Sequence, residues 1–294
     1  MNEKIQKLYR NLENQIKKIK KHNRQGSYKT KERYYTAVQR FCKYLAKEFK
    51  LQKFSNISDK HLDKYIQHMK YKEYSISTIK TDLGAIRFYH DKVQNPKYTL
   101  GSNSKFNLER RQFGNVERAW SKEEYKNFKK VCVDLKQDRI DHITTLARNE
   151  GLRIHEVFKI KRHHVEEALF RTSQIFVKGK GGKEKYVPLS KKTRALLEKV
   201  IQEVPRGEKI FINEDEKTHL VIKQVQDFIN RHRNKWQQED RQINRTFHGL
   251  RHLYAKEQYD IRINKGLSIY QARKEVSKLL GHERDEVTRI YLVK

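Results

Sequence analysis

Very little of this chain is cysteine, proline or glycine: 2, 3 and 12 of 294 residues. Cys42 and Cys132 lie far apart in helix-like segments, which argues against a disulfide framework and predicts reduced, buried thiols. Acidic residues are also in short supply, 36 against 67 lysines and arginines, so the formal net charge is +31. No stretch stays apolar for the ~18–20 residues that a membrane-spanning helix needs. The opening MNEKIQKLYR is charged from the start and has no apolar signal core. A soluble, cytoplasmic protein is the expectation. The 13 histidines form no Cys/His cluster with metal-ligand spacing, so neither a metal nor another cofactor is expected. The adjacent His163 and His164 read as a surface turn.

What is present is positive charge. A polyanion is the simplest partner for it, and nucleic acid is the commonest polyanion. A membrane surface competes, but the charge is spread along the chain and hydrophobic residues reach only 36%. The length suggests about two domains. Charged residues make up 35%, a composition that raises the question of disorder. Regular apolar spacing through most of the chain argues against it.

Residues 1–24 read as one basic amphipathic helix in which Ile5, Leu8, Leu12, Ile16 and Ile19 recur at steps of three and four. Packing on its own domain is favoured over an extra DNA-contacting arm. Three helical patterns follow within residues 25–106. Tyr35, Val38, Phe41, Leu45 and Phe49 form the first stripe; Leu62, Ile66 and Met69 form the second, after a Ser58 cap. Ile79, Leu83, Ile86 and Val93 form the third. This predicts a small all-helical domain. Periodicity breaks from about Asn95, at Pro96, Gly101 and Gly114. Residues 107–119 read as a linker, where Arg110 and Arg111 could meet a nucleic-acid backbone.

Ser121-Lys122-Glu123-Glu124 matches a capping box and opens a second domain, residues 120–294. It reads as mostly helical, with one hairpin from Gln174–Val177 and Lys185–Leu189 around a Gly-rich turn. The expected fold class is therefore mainly α with a small β-hairpin (α+β). There is no βαβ alternation, and Gly-Lys-Gly-Gly-Lys at 179–183 lacks Walker spacing, so a Rossmann or P-loop enzyme is disfavoured.

Six residues of this second domain read together as a phosphate-transfer site. Arg153 lies in GLRIHEV, Lys180 in KGKGGK, and His248 and Arg251 in HGLRH. His282 ends LLGH, and Tyr291 follows nine residues later. A phosphodiester gathers charge on its non-bridging oxygens as it is attacked. Planar guanidinium forks match those oxygens. Arg153 is flanked by Leu152 and Ile154, and Arg251 by Leu250 and Leu253, so both are placed near the core-facing edge of helices. His248 precedes Arg251 by three residues and shares its helical face. An imidazole can take or return a proton near neutral pH. Singly these residues are bland, since an isolated arginine is usually a surface ion pair and most of the 16 tyrosines are packing or surface residues. Their order and local context carry the reading.

With these motifs the region from Trp120 to Tyr291 resembles the catalytic domain of the tyrosine recombinase (phage integrase) family, and the helical segment before it resembles that family's SAM-like core-binding domain. The resemblance implies that Tyr291 is the nucleophile and that Arg153 and Arg251 clamp the phosphate. It implies that His248 assists deprotonation and that His282 donates to the scissile phosphate. Lys180 would be the general acid, with Lys178 and Lys183 as rivals for that role and as further DNA contacts. Glu156, one turn after Arg153, would support the site; a plain helix salt bridge is the alternative.

The resemblance further implies a site-specific DNA recombinase that integrates or excises a mobile genetic element of a bacterium or phage. Cleavage through a 3′-phosphotyrosyl link and a Holliday junction would need neither ATP nor metal. The implied partners are double-stranded recombination sites, three further copies of the chain in a homotetramer on two sites, and accessory proteins that set direction or bend DNA. No membrane is involved, and association with the nucleoid is expected. An inactive DNA-binding relative and a type IB topoisomerase remain the alternatives. Two departures from the family pattern stand out: only Leu292, Val293 and Lys294 follow Tyr291, and the stretch between Ala255 and Leu279 is longer than in compact relatives.

Overall fold

The computed structural model describes residues 2–110, 116–281 and 288–292, with Lys180 by its backbone alone. The chain divides into two compact units, Met1–Gln112 and Phe113–Lys294. Both cysteines are buried and free. Among the described residues no helix is long and apolar enough to cross a membrane.

Among the described residues the first unit holds four α-helices: α1 (Glu3–His22), α2 (Tyr28–Glu48), α3 (Asp59–Tyr71) and α4 (Ile76–His90). Small polar side chains start them, as free helix N–H groups require. Asn2 accepts from the Ile5 N–H at 3.2 Å, Ser27 from Thr30 at 3.3 Å and Ser75 from Thr78 at 3.2 Å. Packing on its own unit is the reading of residues 1–24 that the structure bears out. Leu8, Leu12 and Ile16 bury one stripe of α1, which packs against α2. Full burial of a side chain such as Leu12 or Ile16 contributes about 1.5–3 kcal/mol. Inside, Phe41, Leu45, Leu62, Met69, Ile79, Leu83 and Ile86 form the core. The buried Asp82 accepts from the Tyr65 hydroxyl at 3.0 Å. The stretch after Pro96 is not a bare connection. Gly101 donates to Asp59 Oδ1 at 2.8 Å, Arg87 donates to the Gly101 carbonyl at 2.8 Å, and Leu100, Phe106 and Leu108 pack on this core. Arg110 is exposed; Arg111 lies outside the described residues.

The second unit opens with α5 (Lys122–Asp134), whose Ser121 cap accepts from Glu124 N–H at 3.0 Å while Glu124 accepts from Ser121 N–H at 2.6 Å. Then come α6 (Asp138–Glu150), α7 (Ile154–Val157) and α8 (Arg162–Glu167). His163 and His164 lie within α8, so the surface-turn reading of that pair is corrected. Strands β1 (Gln174–Lys178) and β2 (Glu184–Pro188) pair antiparallel, with Ile175 opposite Val187 and Val177 opposite Lys185. Four helices complete the unit: α9 (Lys191–Val200), α10 (Thr218–Arg231), α11 (His248–Asn264) and α12 (Ile269–Leu280).

Trp120 and Trp236 stack with ring centroids 4.0 Å apart, and Phe128 meets both edge-on. The Trp120 indole donates to the Thr246 carbonyl at 2.8 Å, which ties the entry to α5 to the start of α11. α11 packs against α6 on one side and α12 on another. A small separate cluster of Tyr254, Ala255, Val276, Leu280 and Tyr291 fills the space between α11 and α12.

Candidate active site

Four of the six expected side chains converge around α11, and the local folding of each has a cause. α6 ends at Gly151 in the left-handed region, φ +62°, which costs glycine little. A side chain there would also overlap the Tyr254 ring. The chain then turns so that Arg153 precedes α7 as its N-cap. α7 is only four residues long. Arg153 therefore sits at a helix entrance rather than along a helix.

Glu156 holds this corner together. Its carboxylate accepts from the Arg153 backbone N–H at 2.9 Å and from Arg153 Nη1 at 2.8 Å. Arg251 Nη1 lies 3.8 Å from it and Lys185 Nζ 3.9 Å. The side chain is 1% exposed. Burial alone would raise this carboxyl; Lys185, the Arg153 N–H and Arg251 outweigh that and hold it below the ordinary carboxylate range. It is thus a buried anion shared by three cations, not the exposed helix pair offered as the alternative.

Arg251 is fully buried. Its guanidinium donates to the Gly151 carbonyl and, at 2.5 Å, to the Leu280 carbonyl, the terminal oxygens of α6 and α12. Its Cζ lies 5.7 Å from the centroid of the Tyr291 ring. Burial, with Arg153 next in effect, pushes its pKa down.

Tyr291 is 6% exposed and follows a short helical turn of which Thr288 and Arg289 are described; its N–H donates to Thr288 at 3.0 Å. Its hydroxyl lies 3.3 Å from His248 Nε2. His248 begins α11. Although the residue as a whole is exposed, its imidazole is pushed down to about 4, by burial first and then by Arg251, Arg153 and Arg118. It is neutral at pH 7, and an unprotonated Nε2 can accept the phenol proton. Beside it a cleft of about 520 Å³ opens, lined in part by Arg153, His155, Asn230 and Thr246. The arrangement offers a hydroxyl with an adjacent base and fixed guanidinium groups, which suits attack on an anionic phosphorus centre.

Lys180 lies in a tight turn between β1 and β2, in which Gly181 and Gly182 take φ +71° and +80°. The turn is anchored by Lys159, which donates to the carbonyls of Lys178 and Gly179 at 3.2 and 3.3 Å. Lys178 meets Glu184 at 3.3 Å on the exposed face, and Lys183 is exposed. His282 lies outside the described residues.

Two residues of the site went unread in the sequence. His252 is 2% exposed, and its ring lies 4.3 Å from that of Tyr291 and 5.2 Å from that of His248. His248 and His252 stand at the i, i+4 spacing of HGLRH, so the expectation that the histidines show no metal-ligand spacing is corrected for this pair. Among the described residues no group of three His, Cys, Asp or Glu could hold a metal. The second missed residue is Lys185. Strand alternation puts it on the same face as buried Val187, and a lysine at an inward position was the available signal.

Residues 120–294 match the model of the phage integrase family, and residues 9–93 match the phage integrase N-terminal model. A protein named as an integrase/recombinase, y4rC of Sinorhizobium fredii, is 31% identical over 162 residues, 52% of this chain and 45% of that one. The chain spans about half the length of that curated relative. Among solved structures, a lambda integrase dimer bound to a COC′ core site aligns over 96% of this chain and 77% of its own, at TM-score 0.66 and 16% identity. A lambda integrase tetramer bound to a Holliday junction aligns over 97% and 76%, at 0.64 and 16%. XerH recombinase bound to a palindromic difH substrate aligns over 95% and 80%, at 0.65 and 21%.

Proposed function

The chain belongs to the phage integrase family, and on that footing we propose that it is a site-specific DNA recombinase acting through a covalent phosphotyrosine. The reading rests above all on one observation: the Tyr291 hydroxyl sits 3.3 Å from His248 Nε2 while Arg251 lies against the Tyr291 ring. The phenol oxygen attacks a backbone phosphorus as its proton passes to His248. The new bond joins tyrosine to the 3′ phosphate, and the bond from phosphorus to the 5′ oxygen breaks. Lys180, from the hairpin turn, returns a proton to that oxygen. Arg153 and Arg251 stabilise the charge that builds on the non-bridging oxygens, with His282 as a further donor. One phosphodiester is exchanged for another, so neither ATP nor a metal ion is required. A 5′ hydroxyl from a partner strand reverses the step and completes a transfer.

The lambda integrase relative is described as a tetramer on a Holliday junction; for this chain we propose the same assembly, a homotetramer on two duplex sites, serving a mobile genetic element. Lys178, Lys183, Arg110 and Arg111 supply DNA-backbone contacts. Accessory proteins that bend DNA or set direction complete the proposed partners. The test uses a pool of randomised duplexes carrying a nick, which lets a short 5′ fragment diffuse away and traps the covalent species. Detergent-resistant complexes are recovered and sequenced. The wild-type chain should enrich one site, while Tyr291→Phe should bind that site and form no adduct. Failure to enrich any site, or site-independent relaxation of plasmid DNA by the monomer, would overturn the proposal.

A further inference from the structure

Lys185 has no assigned part in the reaction proposed above, yet its surroundings are unusual for a strand lysine. It lies opposite Val177 in the hairpin and faces inward with Val187. Its side chain is 17% exposed, and Nζ is buried with no hydrogen-bond partner among the described residues. The stem runs against Gly281, the cap of α12, where an added Cβ would lie 3.1 Å from Lys185 Cδ. A buried ammonium without a full set of acceptors is costly. Structural economy would place an apolar residue here, as at Val187.

We propose that Lys185 is a positioning residue for the cleavage step: its ammonium braces Glu156 against Arg153 and Arg251 and keeps this four-residue cluster beside the phosphate at a net charge of two. Glu156 carries one negative charge among three cations, so removing the ammonium halves the cluster's net charge. The phosphate gains charge on its way to the transition state, so the loss falls on the chemical step more than on DNA binding. Among the described residues the charged groups facing Lys185 are Glu156 of α7, Arg153 at its entrance and Arg251 of α11; Gly281, the cap of α12, contributes no charge, and Glu184 of its own strand is exposed and meets Lys178. Burial, together with Arg251 and Arg153 and against Glu156, brings the ammonium down to about 8. Its charge is therefore poised to change in mildly alkaline solution, which gives the role a signature.

This inference rests on the recombinase reading, and the test separates the two. Single-turnover trapping is measured on the nicked duplex recovered by the selection above, with DNA affinity measured in parallel. Lys185→Met should slow trapping about 10- to 100-fold and change affinity less than about threefold. Lys185→Arg, which stays charged, should restore most of the rate, and its rate relative to wild type should climb between pH 7 and 10. Wild-type trapping together with an unchanged rate and pH profile in Lys185→Met would overturn the inference and leave the recombinase reading standing. So would equal losses of rate and affinity in both variants, which would make the lysine a folding or DNA-anchoring group. Absence of wild-type trapping would overturn both readings.

Discussion

Replacing His252 with phenylalanine should make the second unit less sensitive to mild acid. His252 is 2% exposed, and its imidazole is pushed down to about 3, by burial first and then by His248, Arg118, Arg251 and Arg245. An unfolded histidine takes up a proton below about 6.5; the folded ring stays neutral until about 3. Between those limits the unfolded state holds the extra proton, so stability falls as the pH falls. At pH 5 the unfolded ring lies about 1.5 units below its own pKa, and each unit is worth ~1.36 kcal/mol. His252 alone should therefore remove about 2 kcal/mol between pH 7 and pH 5. Carboxylates held below their ordinary range, such as Glu156 and Glu216, act only nearer pH 4, and the other histidines act equally in both proteins. Phenylalanine keeps a ring of similar size against Tyr291. Both tryptophans, Trp120 and Trp236, lie in the second unit, so denaturant unfolding followed by their fluorescence reports on that unit. Wild type should lose about 2 kcal/mol more than His252→Phe on going from pH 7 to pH 5. Equal losses in the two proteins would refute the assignment of a neutral, desolvated His252.

Three further outcomes are expected. Gly151→Ala forces a side chain into φ +62° and onto the Tyr254 ring, and should lower the tryptophan-monitored stability by about 2–4 kcal/mol. Glu156→Gln removes the anion shared by Arg153, Arg251 and Lys185, and should cost about 3–5 kcal/mol at pH 7 by the same measurement, with loss of trapping activity. DNA affinity measured by anisotropy on a short duplex should fall steeply with salt, with a log–log slope of about −5 or steeper, because a chain of net charge +31 releases many counterions; a slope near zero would contradict a phosphate-dominated interface.

The helices of the first unit were legible because each buries one stripe at helical spacing: Leu8, Leu12 and Ile16 repeat every four residues, and so do Leu62, Ile66 and Met69 except for a final step of three. The convergence of Arg153, His248, Arg251 and Tyr291 was legible through short motifs, since chemistry restricts the residue types that can serve it. Other features depend on tertiary environment. The Arg153 corner is a capping geometry, and capping by a long side chain leaves no periodic trace. His163 and His164 lie in a six-residue helix, too short for apolar spacing to mark. Lys185 was hidden by its neighbours: in a turn crowded with lysines, attention falls on the loop, while a five-residue strand reading Glu-Lys-Tyr-Val-Pro gives alternation little to work with. What distinguishes Lys185 is its burial against Glu156, which only the folded chain supplies.

Arg251 has a consequence for how this protein could decay over evolutionary time. Its guanidinium donates to the carbonyls of Gly151 and Leu280, at the ends of two helices at once. Losing it would expose two unanswered dipole termini in the interior before any effect on turnover mattered. The Tyr291 hydroxyl closes no helix, and a phenylalanine in its place would keep the ring packed against Tyr254, Val276 and Leu280. On the proposed recombinase function, a descendant that gave up cutting DNA while still gripping it would be expected to lose this tyrosine hydroxyl early and to keep the arginine for its structural role.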